Sequence, residues 1–257
     1  MNYIKIISHM MRIDLLNIKS SIKDKLIDAL IWGSCTLIIT AYVLPSFGLV
    51  NFGAFQAASV LISVIGFETY NQLFMLVMNI EQKKYLFYLF TLPIPVALIW
   101  LQKIISYTIN ALILSSFMIL VSKLVLQDQM PLTQINWPLL FLALLVSCFF
   151  FACFLLLMVS FVKKTSQVEH MFMRVVFPLW FFGGFQFSWN TLFSINKYAA
   201  YGALISPYTY ATEAVRVSFF GQKGFLPYWT CISFMLIAGC LLATIGHVKL
   251  KKRLALT

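Results

Sequence analysis

Two groups of polar residues stand in otherwise apolar stretches of this 257-residue chain, and each could carry chemistry. Glu68 is followed by Asn71 and Gln72 at three and four positions, so all three share one face of a helix. An ionisable group in apolar surroundings is a functional candidate, but it can also hold two helices together by hydrogen bonds. Glu213 and Arg216 lie three residues apart in the stretch LISPYTYATEAVR and could form an ion pair.

The motifs of the common enzyme classes are absent from the sequence. It has no GxxxxGK[ST] loop for nucleotide phosphates, no HExxH zinc motif and no GxSxG nucleophile motif. The histidines, His9, His170 and His247, are far apart, and the five cysteines lie in apolar runs without a CxxC pair. We therefore expect no catalytic residue, no metal and no cofactor in this chain.

The composition indicates an integral membrane protein. Hydrophobic residues make up 61% of the chain and charged residues only 11%, whereas a soluble domain has roughly 25% charged residues. So few charges cannot cover a water-exposed surface, and most of the chain must face lipid. The net charge of +11 does not indicate nucleic-acid binding, because the basic residues fall between the apolar runs.

Six apolar segments predict an all-α integral membrane protein with six transmembrane helices in a single domain, residues 1–257. A helix needs roughly 20 apolar residues to cross lipid. The predicted spans are residues 28–44, 52–80, 96–121, 137–162, 175–189 and 225–247, and the fifth is short. Before them, apolar residues recur every three or four positions over residues 3–25, which predicts an amphipathic helix in the membrane interface. Packing on a soluble partner is the alternative.

The distribution of basic residues predicts the orientation. With the N-terminus in the cytoplasm, fifteen of the nineteen Lys and Arg residues fall on the inner side. Excess Lys and Arg mark the cytoplasmic side of a membrane protein. The sequence therefore predicts a multi-pass protein with both termini in the cytoplasm, and it places residues 190–224 on the outer side.

Residues 190–224 are predicted to contain a short helix that re-enters the membrane from outside. Pro207 suits the first turn of such a helix, and Gly221 would end it. Glu213 and Arg216 would share one face and pair, because a lone charge at membrane depth costs at least roughly 3 kcal/mol. The alternative is a segment that lies flat in water, where the pair would contribute little.

Aromatic residues are concentrated in FPLWFFGGFQFSW, residues 177–189. One interpretation is an aromatic belt at the outer membrane interface. The other is an aromatic-lined path for an amphipathic substrate, with a glycine pair that lets backbones approach closely. The candidate path residues are Phe181, Phe182, Phe185, Phe187 and Trp189.

Three segments of the chain resemble the ABC-2 type membrane subunits of bacterial ABC exporters. They are the amphipathic helix 3–25, EQKKYLFYLFTLPIPVALIWLQK at 81–103, and FPLWFFGGFQFSWNTLFSINKYAAYGALISPYTYATEAVR at 177–216. The second is similar to the family's cytoplasmic element after span two. The third is similar to its short fifth span, followed by a break and a Pro-Tyr segment that ends in Glu and Arg.

The resemblance implies the transmembrane subunit of an ATP-driven exporter in the bacterial cytoplasmic (inner) membrane. Two copies, or this chain and a related permease, would form the substrate path in the lipid bilayer. ATP and Mg²⁺ would bind a separate ATP-binding cassette subunit, so this chain would not itself be an enzyme. Residues 81–92 would form the coupling helix that seats in the ATPase, through Glu81, Leu86, Leu89 and Leu92. A second interface helix is the alternative for this segment.

The substrate implied first is a polysaccharide, a glycolipid or another amphipathic molecule, because an aromatic-rich path suits sugars and lipids. A small hydrophobic drug is the alternative substrate. A secondary transporter or channel would need several charged groups within the spans, and Glu68 is the clear candidate in the sequence. An intramembrane enzyme would need clustered His, Glu or Cys residues, which the sequence does not show.

Overall fold

The computed structural model describes residues 3–82, 89, 94–130 and 132–255. All regular structure within these residues is helical, and none of them forms a strand, which confirms the all-α prediction. The physical reason is that lipid offers no hydrogen bonds to the backbone. An apolar segment therefore satisfies its own N–H and C=O groups by forming a helix.

In the described part of the chain, long helices lie before residue 162 and after residue 227, and short helices lie between residues 166 and 220. In chain order the described α-helices of six or more residues are α1 (Tyr3–Ile38), α2 (Gly53–Glu81), α3 (Val96–Leu126), α4 (Trp137–Phe161), α5 (Ser166–Met171), α6 (Phe177–Phe182), α7 (Trp189–Ile195), α8 (Lys197–Ala203), α9 (Pro207–Phe220) and α10 (Tyr228–Ala255). Among the described residues, five helices are long and apolar enough to cross a membrane. They are Lys5–Ser46, Gly53–Glu81, Val96–Gln129, Trp137–Phe161 and Tyr228–Lys252.

The first helix differs from its prediction. The sequence predicted an interface helix over 3–25 and a separate span from residue 28, but α1 runs without a break for 36 residues. A π-helical turn, Ile39–Val43, and a short helix, Leu44–Ser46, continue it. At 1.5 Å per residue α1 is about 54 Å long, so it extends well beyond a hydrocarbon layer of about 30 Å.

The predicted fifth span, residues 175–189, is replaced by a helical run that begins and ends earlier. This run consists of α5, a π-helix at Phe172–Val176, and α6, and it stops at Gly183. Residues 166–182 span only about 25 Å as a helix, which is shorter than the hydrocarbon layer. The count of six spans depends on this run and stays a prediction.

The core of the protein lies around α4, which packs against α2, α3, α9 and α10. Helix α1 packs mainly against α3 and is the least buried of the five candidate spans. The exposed surfaces of α1 and α10 carry large apolar side chains such as Ile31 and Ile237. Apolar side chains on the outside agree with a protein whose solvent is lipid.

Candidate functional site

Helix α9 has the bounds that its sequence predicts, and its ends are explained by local chemistry. Ser206 caps its start by accepting a hydrogen bond from the Tyr208 backbone N–H at 3.2 Å, and Pro207 fixes the first turn. Gly221 ends the helix with a φ of +82°, a conformation that glycine adopts without strain. The helix is almost wholly buried, between α2, α4 and α10.

The structure brings Glu213 and Arg216 together inside the protein. Arg216 Nη1 lies 3.3 Å from Glu213 Oε1, and both residues are 0% exposed. Nη1 and Nη2 also donate to backbone carbonyls of the segment after α6, and Nη2 lies 2.7 Å from the Ser59 hydroxyl of α2. Nε is buried without a hydrogen-bond partner among the described residues. The guanidinium also stacks 3.8 Å from the centre of the Phe55 ring.

Glu213 ties two further segments to α9. Its Oε1 accepts a hydrogen bond from the Trp189 backbone N–H at 3.0 Å, and its Oε2 accepts one from the Leu226 N–H at 2.9 Å. We name Glu213, Arg216, Ser59 and Phe55 the Arg216 cluster. Charge-assisted hydrogen bonds of this cluster hold together α2, α9 and the segments before α7 and α10.

The glycine pair at the end of α6 allows this close approach. Gly184 has a φ of +78°, and its carbonyl accepts a hydrogen bond from Arg216. A Cβ on Gly183 would lie 2.3 Å from Tyr208 Cβ and 2.6 Å from the Leu179 carbonyl oxygen. Because neither of these groups can move aside easily, glycine is required where α6 meets the start of α9.

The aromatic residues of the predicted path are not together. Phe185 is buried and packs 4.4 Å from Trp180, measured between ring centres, whereas Phe181 and Phe182 are exposed. Trp189 stacks on Phe193 in the segment between α6 and α9. Phe187 takes part through its backbone carbonyl, which accepts a hydrogen bond from Arg216 at 2.8 Å. Phe185 instead belongs to an aromatic group with Trp32, Phe67, Phe172 and Trp180, which joins α1, α2, the 166–182 run and the segment after it.

Glu68 is 4% exposed and connects three helices through one oxygen atom. Its Oε1 accepts hydrogen bonds from Lys25 of α1 at 2.7 Å, from Gln72 of its own helix at 2.5 Å, and from Asn110 of α3. We name these four residues the Glu68 cluster. Asn71, predicted on the same face, is exposed and lines a neighbouring cavity instead.

Helix α1 forms a further ion pair, Asp14 with Lys103 of α3, which the sequence analysis did not recognise. Asp14 is 7% exposed; its two carboxylate oxygens lie 2.7 and 2.8 Å from Lys103 Nζ, and Gln102 donates to it at 2.8 Å. The sequence does indicate a polar face on α1, because Asp14, Ser21 and Lys25 recur at helical spacing. In the apolar stripe that suggested the interface helix, Leu15 is 43% exposed, whereas Ile22 packs against the hydrophobic core.

The predicted coupling helix lies mostly outside the described residues, which include neither Leu86 nor Leu92. Its first residue, Glu81, is exposed and accepts hydrogen bonds from the Thr165 backbone N–H at 2.7 Å and hydroxyl at 2.5 Å. This contact places the end of α2 beside the connection between α4 and α5. Leu89 is only 2% exposed and belongs to the hydrophobic core, so it is not available at the surface.

Within the described residues, no group of three or more His, Cys, Asp or Glu side chains could hold a metal ion. A family model described as "ABC-2 type transporter" matches residues 16–220 of the chain. No curated protein matches it, and no solved structure does. The match contains both polar clusters, the Glu81 contact and the whole of α9.

Proposed function

Because the chain belongs to the ABC-2 type transporter family and is a transmembrane subunit of an ABC transporter, we propose that it forms the substrate path of an ATP-driven exporter. Two copies, or this chain and a related permease, line the path. ATP and Mg²⁺ bind a separate ATP-binding cassette subunit. The observation that carries the proposal is the family match, which spans most of the chain, together with the five long apolar helices.

The proposed topology has six spans in the bacterial cytoplasmic membrane with both termini in the cytoplasm. The distribution of Lys and Arg supports this orientation. The 166–182 run serves as the short fifth span, and α9 re-enters from the outer side. Burial of the Arg216 cluster supports re-entry, because a helix lying flat in water would expose these charges.

The proposed docking site for the ATPase is the segment 81–92. The first support is the resemblance of its sequence. The second is the contact between Glu81 and Thr165, which holds Glu81 beside the connection between α4 and α5. That connection carries two basic residues, Lys163 and Lys164. Leu86 and Leu92 are the proposed apolar docking residues, on the resemblance of the sequence alone. Leu89, which is 2% exposed, is left out of the contact.

Replacing Leu86 with Asp is expected to lower the amount of co-purified ATP-binding cassette subunit at least about tenfold, because burying an unpaired charge in the contact costs more than 1.4 kcal/mol. The permease itself should still insert and elute as a single species. Leu89→Asp should instead reduce the amount of folded permease. The measurement is quantitative co-purification of the two subunits in mild detergent.

The matched control is Leu49→Asp, which places the same charge on a 54% exposed leucine between α1 and α2. It should leave the co-purified ATPase unchanged. Full recovery of the ATPase with Leu86→Asp would reject the segment 81–92 as the docking site.

A polysaccharide, a glycolipid or another amphipathic molecule is the proposed substrate, with a small hydrophobic molecule as the alternative. The aromatic group of Trp32, Phe67, Trp180 and Phe185 supports an amphipathic substrate, since aromatic faces pack on both sugar rings and acyl chains. The ion pairs Lys25–Glu68 and Lys103–Asp14 between α1, α2 and α3 would favour a secondary transporter or channel. Dependence of transport on ATP separates that alternative from the exporter.

A further inference from the structure

A cavity of about 570 Å³ lies between α1, α2 and α3. Its volume falls within the roughly 300–1,000 Å³ typical of small-ligand sites. Among the described residues that line it, three have apolar side chains, Ile18, Met75 and Leu76. The other lining residues carry charged, amide or hydroxyl groups, and the cavity is open on the side of exposed residues such as Asn17 and Ser20. We name it the polar cavity after these side chains, because buried polar groups in its wall need water or a polar ligand as hydrogen-bond partners.

The charges around this cavity are already neutralised in pairs. Lys103 Nζ lies 2.7 Å from Asp14 Oδ1, and Lys25 Nζ lies 2.7 Å from Glu68 Oε1. An entering anion or cation would have to compete with one of these buried pairs, at a cost in free energy. The groups that can bind a ligand without breaking a pair are the amides and hydroxyls, including those of Asn17, Ser20 and Ser106.

Asn110 indicates what the ligand must supply. It is 1% exposed and lines the cavity, and its Nδ2 donates to Glu68. Its Oδ1 accepts a hydrogen bond from no group among the described residues. A buried acceptor without a donor is costly, so the cavity requires a hydrogen-bond donor at this position. A hydroxyl group supplies a donor without adding a charge.

An apolar cavity of about 230 Å³ adjoins the polar one, and both are lined by Lys25. The aromatic rings of Trp32 and Phe67, together with Val64 and Leu114, form much of its wall. The Glu68 cluster therefore lies at the boundary between a polar and an apolar compartment. Two adjacent compartments of this kind match a molecule with a polar head and an apolar tail.

We propose that these two cavities bind an amphiphile within a single copy of the chain, and that its head group is uncharged and rich in hydroxyl groups. The head occupies the polar cavity and donates a hydrogen bond to Asn110 Oδ1, while the tail contacts Trp32 and Phe67. This inference rests on the proposed function, for which it names the head-group class of the substrate and the place where the substrate is held before export.

Photolabelling of the permease in lipid nanodiscs tests the proposal. The probe is dodecyl glucoside with a photoreactive diazirine in its alkyl chain, compared with dodecyl phosphocholine and dodecyl sulfate that carry the same chain. Labelling by the glucoside should be saturable, should map to α1 and α2 near Trp32 and Phe67, and should be displaced by unlabelled dodecyl maltoside. The two charged-head probes should label these helices only non-saturably.

Ser21→Phe, which fills the polar cavity, is expected to lower saturable labelling at least about tenfold, because it removes one to two net hydrogen bonds of about 1 kcal/mol each. Ser8→Phe, on an exposed position of the same helix, is the matched control and should label like the wild type. If Ser21→Phe does not fold, Ser20→Phe at the exposed rim of the cavity replaces it.

Equal labelling by the charged-head probes, or equal labelling of Ser21→Phe and Ser8→Phe, would overturn the proposal and leave the cavity as a water-filled recess. Co-purification of the ATP-binding cassette subunit is measured on the same preparations. If the wild type shows no saturable glucoside labelling while the ATPase remains bound, the cavity is rejected as a ligand site and the exporter function stands. Loss of the ATPase from the wild type rejects the exporter function independently of the labelling.

Discussion

Replacing Arg216 with Met is expected to remove most of the folded protein. The change leaves Glu213 as a buried carboxylate without its partner, and it leaves the carbonyls of Gly184 and Phe187 without the guanidinium donors. Breaking a buried ion pair by removing one partner costs about 3–5 kcal/mol. That is a large part of a total stability of about 5–15 kcal/mol. The measurement is the yield of monodisperse protein and its thermal unfolding midpoint in detergent.

A double-mutant cycle separates the pair from its surroundings. Glu213→Gln keeps the side-chain shape, and the double change Glu213→Gln with Arg216→Met leaves no charge unpaired. The double variant should therefore be less damaged than the sum of the two single variants, although the stranded carbonyls keep it below the wild type. Lys223→Met, at an exposed position shortly after α9, is the control and should have little effect. Strictly additive effects would reject the pair as the source of the stability.

Glu68→Ala is expected to give the second-largest loss of stability. One oxygen of Glu68 accepts hydrogen bonds from Lys25, Gln72 and Asn110, so its removal leaves three donors without an acceptor in α1, α2 and α3. The expected cost is about 2 kcal/mol. It is smaller than for Arg216 because the Lys25 side chain is 19% exposed and can reach the solvent of the adjoining cavity.

Glu68→Gln tests whether the charge or the hydrogen bonding matters. The amide keeps an acceptor oxygen but removes the negative charge that faces Lys25. The stability of Glu68→Gln should therefore lie between that of the wild type and that of Glu68→Ala. Glu169→Ala, at an exposed position of α5, controls for the removal of an acid. A Glu68→Ala variant as stable as this control would show that the Glu68 cluster does not hold the three helices together.

Sequence patterns predicted the features that depend on local chemistry. The apolar runs predict helices because a lipid-exposed backbone must satisfy its own hydrogen bonds. The bounds of α9 follow from Pro207 and Gly221, two residues whose backbone preferences act locally. The proximity of Glu213 and Arg216 follows from their spacing on one helix face, which needs no knowledge of the surrounding helices.

Features that depend on contacts between distant segments were missed. The pairing of Asp14 with Lys103 joins residues 89 positions apart, and nothing in either local sequence identifies the partner. The same reason explains the division of the predicted aromatic path, because the break at Gly183 and Gly184 sends Phe182 outward and Phe185 inward. The long α1 was divided in the prediction because its polar residues suggested an interface, whereas in the fold several of them lie at helix contacts.

If this chain works as the membrane subunit of an ATP-driven transporter, its native assembly contains ATP-binding cassette subunits. The tagged chain is extracted from its own membrane into nanodiscs, and native mass spectrometry and ATP hydrolysis are measured on the product. We expect two permease copies, or one with a related permease, together with ATP-binding cassette subunits and ATP hydrolysis in the complex. A folded, monodisperse chain that contains no such subunit and hydrolyses no ATP would contradict it.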